Sequence, residues 1–289
     1  MLKNAISLNP MILFSPAKIN IGLRILDRRK DGFHNLQSIM YPVGLCDILE
    51  ISESKNSDQG IQFTQSGIQL EEGSGKNLCV LACEKMKEKV SLPPLDLHLH
   101  KQIPVGAGLG GGSSNASTTL KALNSISGHP VSENLLLEMA ADLGSDCPFF
   151  LYDHPMMMEG RGEILSVCKL DLPPAYLVLL FPNIHVSTQE AYAGVQPKIP
   201  AQHLKDLVNI PLGEWKNHIR NDFEHSLFES YPLLSELKKK LYSAGALYAS
   251  MSGSGSALYG IFSSKPDLSA EIITHIIWEG PLDKSQVLS

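Results

Sequence analysis

A chain of 289 residues with 43% hydrophobic content carries enough apolar side chain for a sizeable core and has room for two domains. A formal net charge of -6 argues against a nucleic-acid surface, and the basic run Lys238-Lys239-Lys240 reads as the solvated face of a helix. Five scattered cysteines without a C-x-x-C pair indicate neither a disulfide framework nor a zinc knuckle, which fits a reducing cytoplasm. No secretory signal is expected, since Pro10 and Ser15 interrupt the N-terminal apolar stretch. The apolar run at Tyr176 to Phe181 is too short to span a bilayer.

In chain order, Ile12 to Phe14 and Ile19 to Ile25 read as strands joined by a bend at Ser15-Pro16-Ala17-Lys18, with Gly22 marking a close approach by a neighbour or ligand. Arg28 to Gly32 is a charged turn, and Phe33 to Val43 and Asp47 to Ser52 are extended. Asp58 to Gly73 suggests a surface hairpin using Ile61, Phe63, Ile68 and Leu70. Asn77 is placed to cap a helix carrying Leu78, Leu81, Ala82 and Met86, and Ser132 to cap one carrying Leu136, Met139, Ala140 and Leu143, with Val131 as its staple. Gly144 stops the latter and presents Ser145 and Asp146 at its exit.

Further on, Met156 to Glu159 and Glu163 to Val167 predict a hairpin turning at Gly160-Arg161-Gly162, its methionines serving as packing. Leu172-Pro173-Pro174 is the best domain junction. A buried strand at Leu177 to Phe181 follows, then helices at Thr188 to Ala193 and Pro232 to Ala244, the second with Leu234, Leu237 and Leu241 inward. Strands at Leu247 to Met251 and Ala257 to Phe262 flank a second glycine loop, a helix is expected at Leu268 to Ile277, and the tail from Pro281 is expected to be mobile.

The most informative stretch runs from Ile103 to Asn124, where Gly106, Gly108, Gly110, Gly111 and Gly112 lead into Ser113, Ser114 and Asn115 and then a helical repeat at Ala116, Leu120 and Leu123. Such a loop brings successive backbone N–H groups within reach of an anion, and the positive end of the following helix faces the same anion. An ordinary turn needs only one or two glycines. A Walker site is disfavoured because no Lys follows Gly112. The dinucleotide fingerprint fits Gly106, Gly108 and Gly111 after the alternating Leu95, Leu97 and Leu99, but the helix leads through Gly128-His129-Pro130 to another helix rather than to an acid-bearing strand.

The string Pro104-Val105-Gly106-Ala107-Gly108-Leu109-Gly110-Gly111-Gly112-Ser113-Ser114-Asn115-Ala116 resembles the phosphate-binding motif of the GHMP small-molecule kinases. Ser15-Pro16-Ala17-Lys18-Ile19-Asn20 and Met251-Ser252-Gly253-Ser254-Gly255-Ser256-Ala257 agree with the family's other two motifs, in order. Within it, Asp31-Gly32-Phe33-His34-Asn35-Leu36-Gln37-Ser38 and Gly144-Ser145-Asp146-Cys147-Pro148-Phe149-Phe150 resemble the branch that phosphorylates a cytidine-diphosphate alcohol for isoprenoid synthesis.

The resemblance implies a two-domain α+β fold, with an ATP-binding domain at 1–170, a substrate-side domain at 171–289 and the active site in the interdomain cleft. It implies ATP with Mg²⁺ and a small-molecule acceptor, while the charge and the short apolar runs point to neither nucleic acid nor membrane as partner. The run from Pro104 to Ser114 would hold the triphosphate, Lys101 would add charge from the preceding strand, and Asn77 would contact adenine. Which serine approaches Mg²⁺ is left open. The family's catalytic pair matches Lys18 and Asp146, the carboxylate taking the hydroxyl proton and the ammonium holding it ionised. Asp153, Asp171 and Asp222 are weaker candidates for the base. Phe33, His34 and Tyr192 would meet the cytosine, Asn20 the polyol, and Gly253 and Ser254 the acceptor pocket. Position 33 is Phe where relatives often carry Tyr, so a phenolic hydrogen bond there is lost. Two alternatives stay open: a GHMP kinase for mevalonate, homoserine or a sugar, and a nucleotide-binding regulator without catalysis.

Overall fold

A computed structural model describes residues 10–55, 60–69, 76–152 and 154–282. The chain forms two compact units that interleave along the sequence. Of the described residues, the first gathers those up to Ala17 with those of Leu45–Pro104 and Gly111–Tyr152, and the second gathers Lys18–Gly44, Val105–Gly110 and those from His154 to Leu282. Leu172-Pro173-Pro174 lies in coil inside the second unit.

Strands β1 (Met11–Arg28) and β2 (His34–Glu53) each run through both units. The bend expected at Ser15 to Lys18 is absent, and β1 is one continuous strand. Among the described residues the strand it pairs with is β2, and Lys18 N, on the same side of β1 as the nitrogen of Pro16, donates to Leu109 O rather than to β2, so the N–H that Pro16 lacks removes no bond to β2.

In the first unit, β3 (Ile61–Gly67) does not form the expected hairpin, and Leu70 falls outside the described residues. Helix α1 (Leu78–Lys87) and β4 (Leu95–Lys101) follow. β3 lies parallel to β4, with Ile61 opposite Leu95, and β4 lies antiparallel to the second half of β2, with Ile48 opposite His100. Helices α2 (Gly111–Ile126) and α3 (Glu133–Leu143) complete the unit. Their inward faces meet in one core: Cys79, Ala82 and Met86 from α1, Leu97 and Leu99 from β4, Leu120 and Leu123 from α2, and Leu136 and Met139 from α3. Each fully buried Leu or Met contributes about 1.5–3 kcal/mol, so this core holds α2 against α1, α3 and β4. The caps fall where expected: Asn77 Oδ1 accepts from Cys79 N at 2.9 Å, and Ser132 Oγ accepts from Leu135 N at 3.4 Å.

In the second unit, β5 (Met156–Glu159) and β6 (Ile164–Val167) form the expected hairpin, and β5 pairs with the first half of β2 through Ser38 opposite Met158. Next come β7 (Tyr176–Leu180), α4 (Thr188–Ala193), and the short helices α5 (Leu204–Leu207), α6 (Trp215–His218) and α7 (Glu224–Ser230). α8 (Pro232–Ser243), β8 (Tyr248–Met251), β9 (Leu258–Phe262), α9 (Ala270–Ile273) and β10 (Ile276–Pro281) follow. An antiparallel sheet runs in the order β10-β7-β9-β8. α8 buries Leu234, Leu237 and Leu241, the stripe its spacing predicts. The helix expected to reach Ile277 stops at Ile273, and Ile276 onward pairs with β7 instead, so Pro281 is a strand residue, and the part of the expected mobile tail past Leu282 lies outside the described residues. Gly22 is a close approach: its φ is +64°, and a Cβ there would come within 2.8 Å of Ile219 Cγ2.

Candidate active site

Lys18 lies on β1 and is 4% exposed. Its Nζ donates to Asn20 Oδ1 at 2.5 Å and to the carbonyl oxygen of Gly108 at 2.9 Å, while its backbone N–H donates to Leu109 O at 3.0 Å. Residues 18 and 20 share a face because side chains alternate along a strand. Asn20, expected at the acceptor, is 1% exposed, with its oxygen taken by Lys18 and its Nδ2 donating to Ser38 Oγ at 2.8 Å. In this arrangement Asn20 orients the lysine.

The two glycine loops meet in the second unit. Ser252 Oγ donates to Gly108 O at 2.8 Å and accepts from Asn20 N at 3.2 Å, and Ala257 N donates to Ala107 O at 3.1 Å. Gly108 has φ +77°, and a Cβ there would stand 2.0 Å from Ser252 O, so no other residue fits. Along the expected ATP run, Pro104, Ala107, Leu109, Gly111 and Ser114 are buried, whereas Val105, Gly106 and Gly112 are exposed and Gly108, Gly110 and Ser113 lie between. The buried members anchor the loop and the others remain open to a ligand. Gly253 is buried and Ser254 half-buried.

In the first unit, the N–H groups of Gly111 to Ser114 open α2, where a helix leaves four donors without intrahelical partners. Ser114 Oγ is also buried and has no hydrogen-bond partner among the described residues. Asn77, the α1 cap, is half-buried. Lys101 departs from expectation. Its side chain is 2% exposed, its Nζ donates to Asp47 Oδ2 at 2.6 Å and to Ile103 O at 2.6 Å, and burial lowers its pKa while Asp47 opposes that shift. An ammonium so enclosed does not reach a phosphate but braces the loop, and a Cβ at Gly111 would come within 2.8 Å of it. Asp47 Oδ1 accepts from Gln102 N at 2.7 Å and Ile103 N at 2.8 Å, and its Oδ2 also accepts from Asn115 Nδ2 at 3.0 Å. Asp47 and Asn115 were both missed as site residues.

Asp146, half-buried, begins the 3-10 turn Cys147–Leu151, where Ser117 Oγ donates to Cys147 O at 2.7 Å. It belongs to the first unit and Lys18 to the second. Of the weaker candidates for the base, Asp153 lies outside the described residues, and Asp222 is engaged by Ile25 N at 2.8 Å. No group of three or more His, Cys, Asp or Glu side chains able to hold a metal occurs among the described residues.

The expected pyrimidine residues also lie in the second unit. His34 and Tyr192 stack with centroids 5.1 Å apart and planes at 20°, and Tyr192 meets the buried Phe223 edge-on at 4.9 Å. Phe33 is 56% exposed, with the Arg161 guanidinium 5.1 Å from its ring centre.

Comparison with known proteins identifies the family. The GHMP kinases N terminal domain matches residues 77–154 and the GHMP kinases C terminal domain matches 204–274. A 4-diphosphocytidyl-2-C-methyl-D-erythritol kinase of Bacteroides fragilis is 46% identical over 253 residues, covering 88% of this chain and 92% of that protein. One of Parabacteroides distasonis is 41% identical over 274 residues, covering 94% and 100%. A crystal structure of a 4-(cytidine 5'-diphospho)-2C-methyl-D-erythritol kinase superposes with a TM-score of 0.72 at 31% identity, covering 87% of this chain and 90% of that one. Methanococcus jannaschii mevalonate kinase, at 14% identity and a TM-score of 0.63 over 92% and 93% of the two chains, shares the fold alone. With its ordered glycine loops, its lysine held against the first of them and relatives this similar over nearly the whole chain, this α+β protein belongs to the GHMP kinases.

Proposed function

We propose that this chain is a cytoplasmic, ATP- and Mg²⁺-dependent kinase that phosphorylates a hydroxyl of 4-diphosphocytidyl-2-C-methyl-D-erythritol in non-mevalonate isoprenoid precursor synthesis. The observation that carries the reading is the ammonium of Lys18, fixed by Asn20 and Gly108 where both glycine loops meet. The names of the relatives supply the acceptor.

Phosphoryl transfer asks a protein chiefly to align donor and acceptor and to stabilise charge. The N–H groups of Gly110 to Ser114 bind the triphosphate at the start of α2, and Asn77 borders the adenine. Mg²⁺ would offset phosphate charge when bound, and Ser114, whose buried hydroxyl has no partner among the described residues, is the residue of this run whose chemistry fits it. Asp146 takes the acceptor's proton, and Lys18 offsets the charge that grows on the acceptor oxygen. His34 and Tyr192 hold the cytosine beside Phe33. The N-terminal domain, 1–170, carries the ATP-binding run, and 171–289 supplies Tyr192, Gly253 and Ser254.

A coupled assay of ADP release decides the matter. Wild type should turn over the cytidine-diphosphate alcohol and ignore mevalonate, homoserine and sugars, and Asp146→Asn should lose nearly all turnover while still binding ATP. Preference for a simple alcohol would move the chain to another branch of the family. Tight ATP binding without ADP release on any acceptor would make it a regulator.

A further inference from the structure

Asn221 is 2% exposed and precedes α7, outside all three family motifs. Its Nδ2 donates to Met251 O at 2.9 Å and to Gly253 O at 2.8 Å, and its Oδ1 accepts from Phe223 N at 3.0 Å. Both amide protons and the carbonyl are thus spent inside the protein. The two carbonyls it holds flank Ser252, the residue whose Oγ reaches Gly108 O, which in turn accepts from Lys18 Nζ.

The segment bearing Asn221 is itself fixed. Leu23 N donates to Arg220 O at 3.0 Å, Asp222 N donates to Leu23 O at 2.8 Å, and Ile25 N donates to the Asp222 carboxylate. Three residues on, Glu224 Oε1 accepts from Met251 N at 2.8 Å and from Ser250 Oγ at 3.0 Å, while its Oε2 accepts from Lys238 Nζ at 2.5 Å. β1, which carries Lys18 and Asn20, and the turn after β8 are therefore both tied to residues 220–224.

We propose that Asn221 is a positioning residue for phosphoryl transfer: it sets the Gly253-Ser254 turn against the first glycine loop and, through Ser252 and Gly108, fixes the place of the Lys18 ammonium. A carboxamide is required, because a single nitrogen must donate to two carbonyls while its oxygen accepts a third bond. An ionised Asp only accepts and would oppose both carbonyls, and Ala offers nothing. The proposal rests on the kinase reading above, with Lys18 at the reacting oxygen.

The test is steady-state kinetics of Asn221→Ala, Asn221→Asp and Ser252→Ala, normalised to the fraction of protein that binds ATP, together with hydrogen exchange of the amides of residues 252–256. The expected result is a fall in kcat of about tenfold to a hundredfold, the scale on which small misplacements at a reacting centre are felt, with the KM for ATP nearly unchanged. The 252–256 amides should exchange faster in both Asn221 variants. A merely structural role would lower the ATP-binding fraction and leave normalised kcat at the wild-type value, and that outcome overturns the proposal. Should Asn221→Ala fail to fold, Ser252→Ala, which breaks the middle of the chain of contacts, decides in the same way. If wild type itself shows no transfer, the kinase reading fails, and the exchange comparison still reports whether Asn221 holds the turn.

Discussion

Asp47 and Lys101 form an ion pair 2.6 Å long with side chains 0% and 2% exposed, directly beneath the residue at which α2 begins. The carboxylate accepts four hydrogen bonds, from Lys101, Asn115 and the backbone of Gln102 and Ile103. Removing it strands a buried ammonium, a change that commonly costs about 3–5 kcal/mol. Asp47→Ala should therefore lower the urea midpoint sharply, and Asp47→Ala with Lys101→Met should recover part of the loss. Because the pair braces the phosphate loop, any folded Asp47 variant should raise the KM for ATP more than that for the acceptor. A double variant no more stable than the single one would refute the account.

Both members of that pair were readable from strand parity. Leu95, Leu97 and Leu99 alternate inward on β4, and the same period places Lys101 inside. Asp47 likewise follows Leu45 and precedes Leu49 and Ile51 on the buried face of β2. An acid and a base at inward positions of adjacent strands point to a buried pair, a signal the phosphate-binding motif overshadowed. The helix caps and the inward stripe of α8 were legible because they depend on neighbours three or four residues away. The end of α9 was not, since Ile272, Ile273, Ile276 and Ile277 satisfy helical spacing equally well, and the choice is made by pairing with β7, about a hundred residues earlier. Asn221 was invisible for the same reason: its partners lie 30 and 32 residues away.

Two glycines of one loop should respond oppositely to alanine. At Gly108, φ is +77° and a Cβ would overlap the backbone of Ser252, so Gly108→Ala should displace the Ser252 contact and abolish turnover. At Gly112, in the first turn of α2, the nearest atom to a Cβ is Leu78 Cδ1 at 3.5 Å, an ordinary contact. Gly112→Ala should fold at least as well as wild type, gaining up to about 1 kcal/mol of helix propensity. Thermal melts of the two variants, read beside ADP release, check the pair, and equal stability would contradict the geometry.

All five cysteines are free, and burial pushes their thiols up: Cys79 and Cys83 to about 12, Cys46 and Cys147 to about 11, and Cys168 in the same direction. The thiolate is the reacting form, so near pH 8 native protein should react slowly with a disulfide reagent and denatured protein rapidly at all five sites. A fast phase in the native state would show that one of these sites opens locally.

Asp222 offers a test in which the sign is fixed by linkage. Burial raises its pKa above 3.8, and the Ile25 N–H and the neighbouring Arg24 and Arg220 only partly offset that. Between 3.8 and the raised value the folded state binds more protons than the unfolded chain, so this group's contribution to stability falls as pH rises through that window and stays at its lower level above it. Asp222→Asn keeps an oxygen for Ile25 N and removes the titration. Its stability relative to wild type should therefore be greater at about pH 7 than at about pH 4, whatever the absolute offset between the two proteins. Urea unfolding of both at the two pH values gives the comparison. A gap that narrows as pH rises would mean that the arginines, rather than burial, govern this carboxylate.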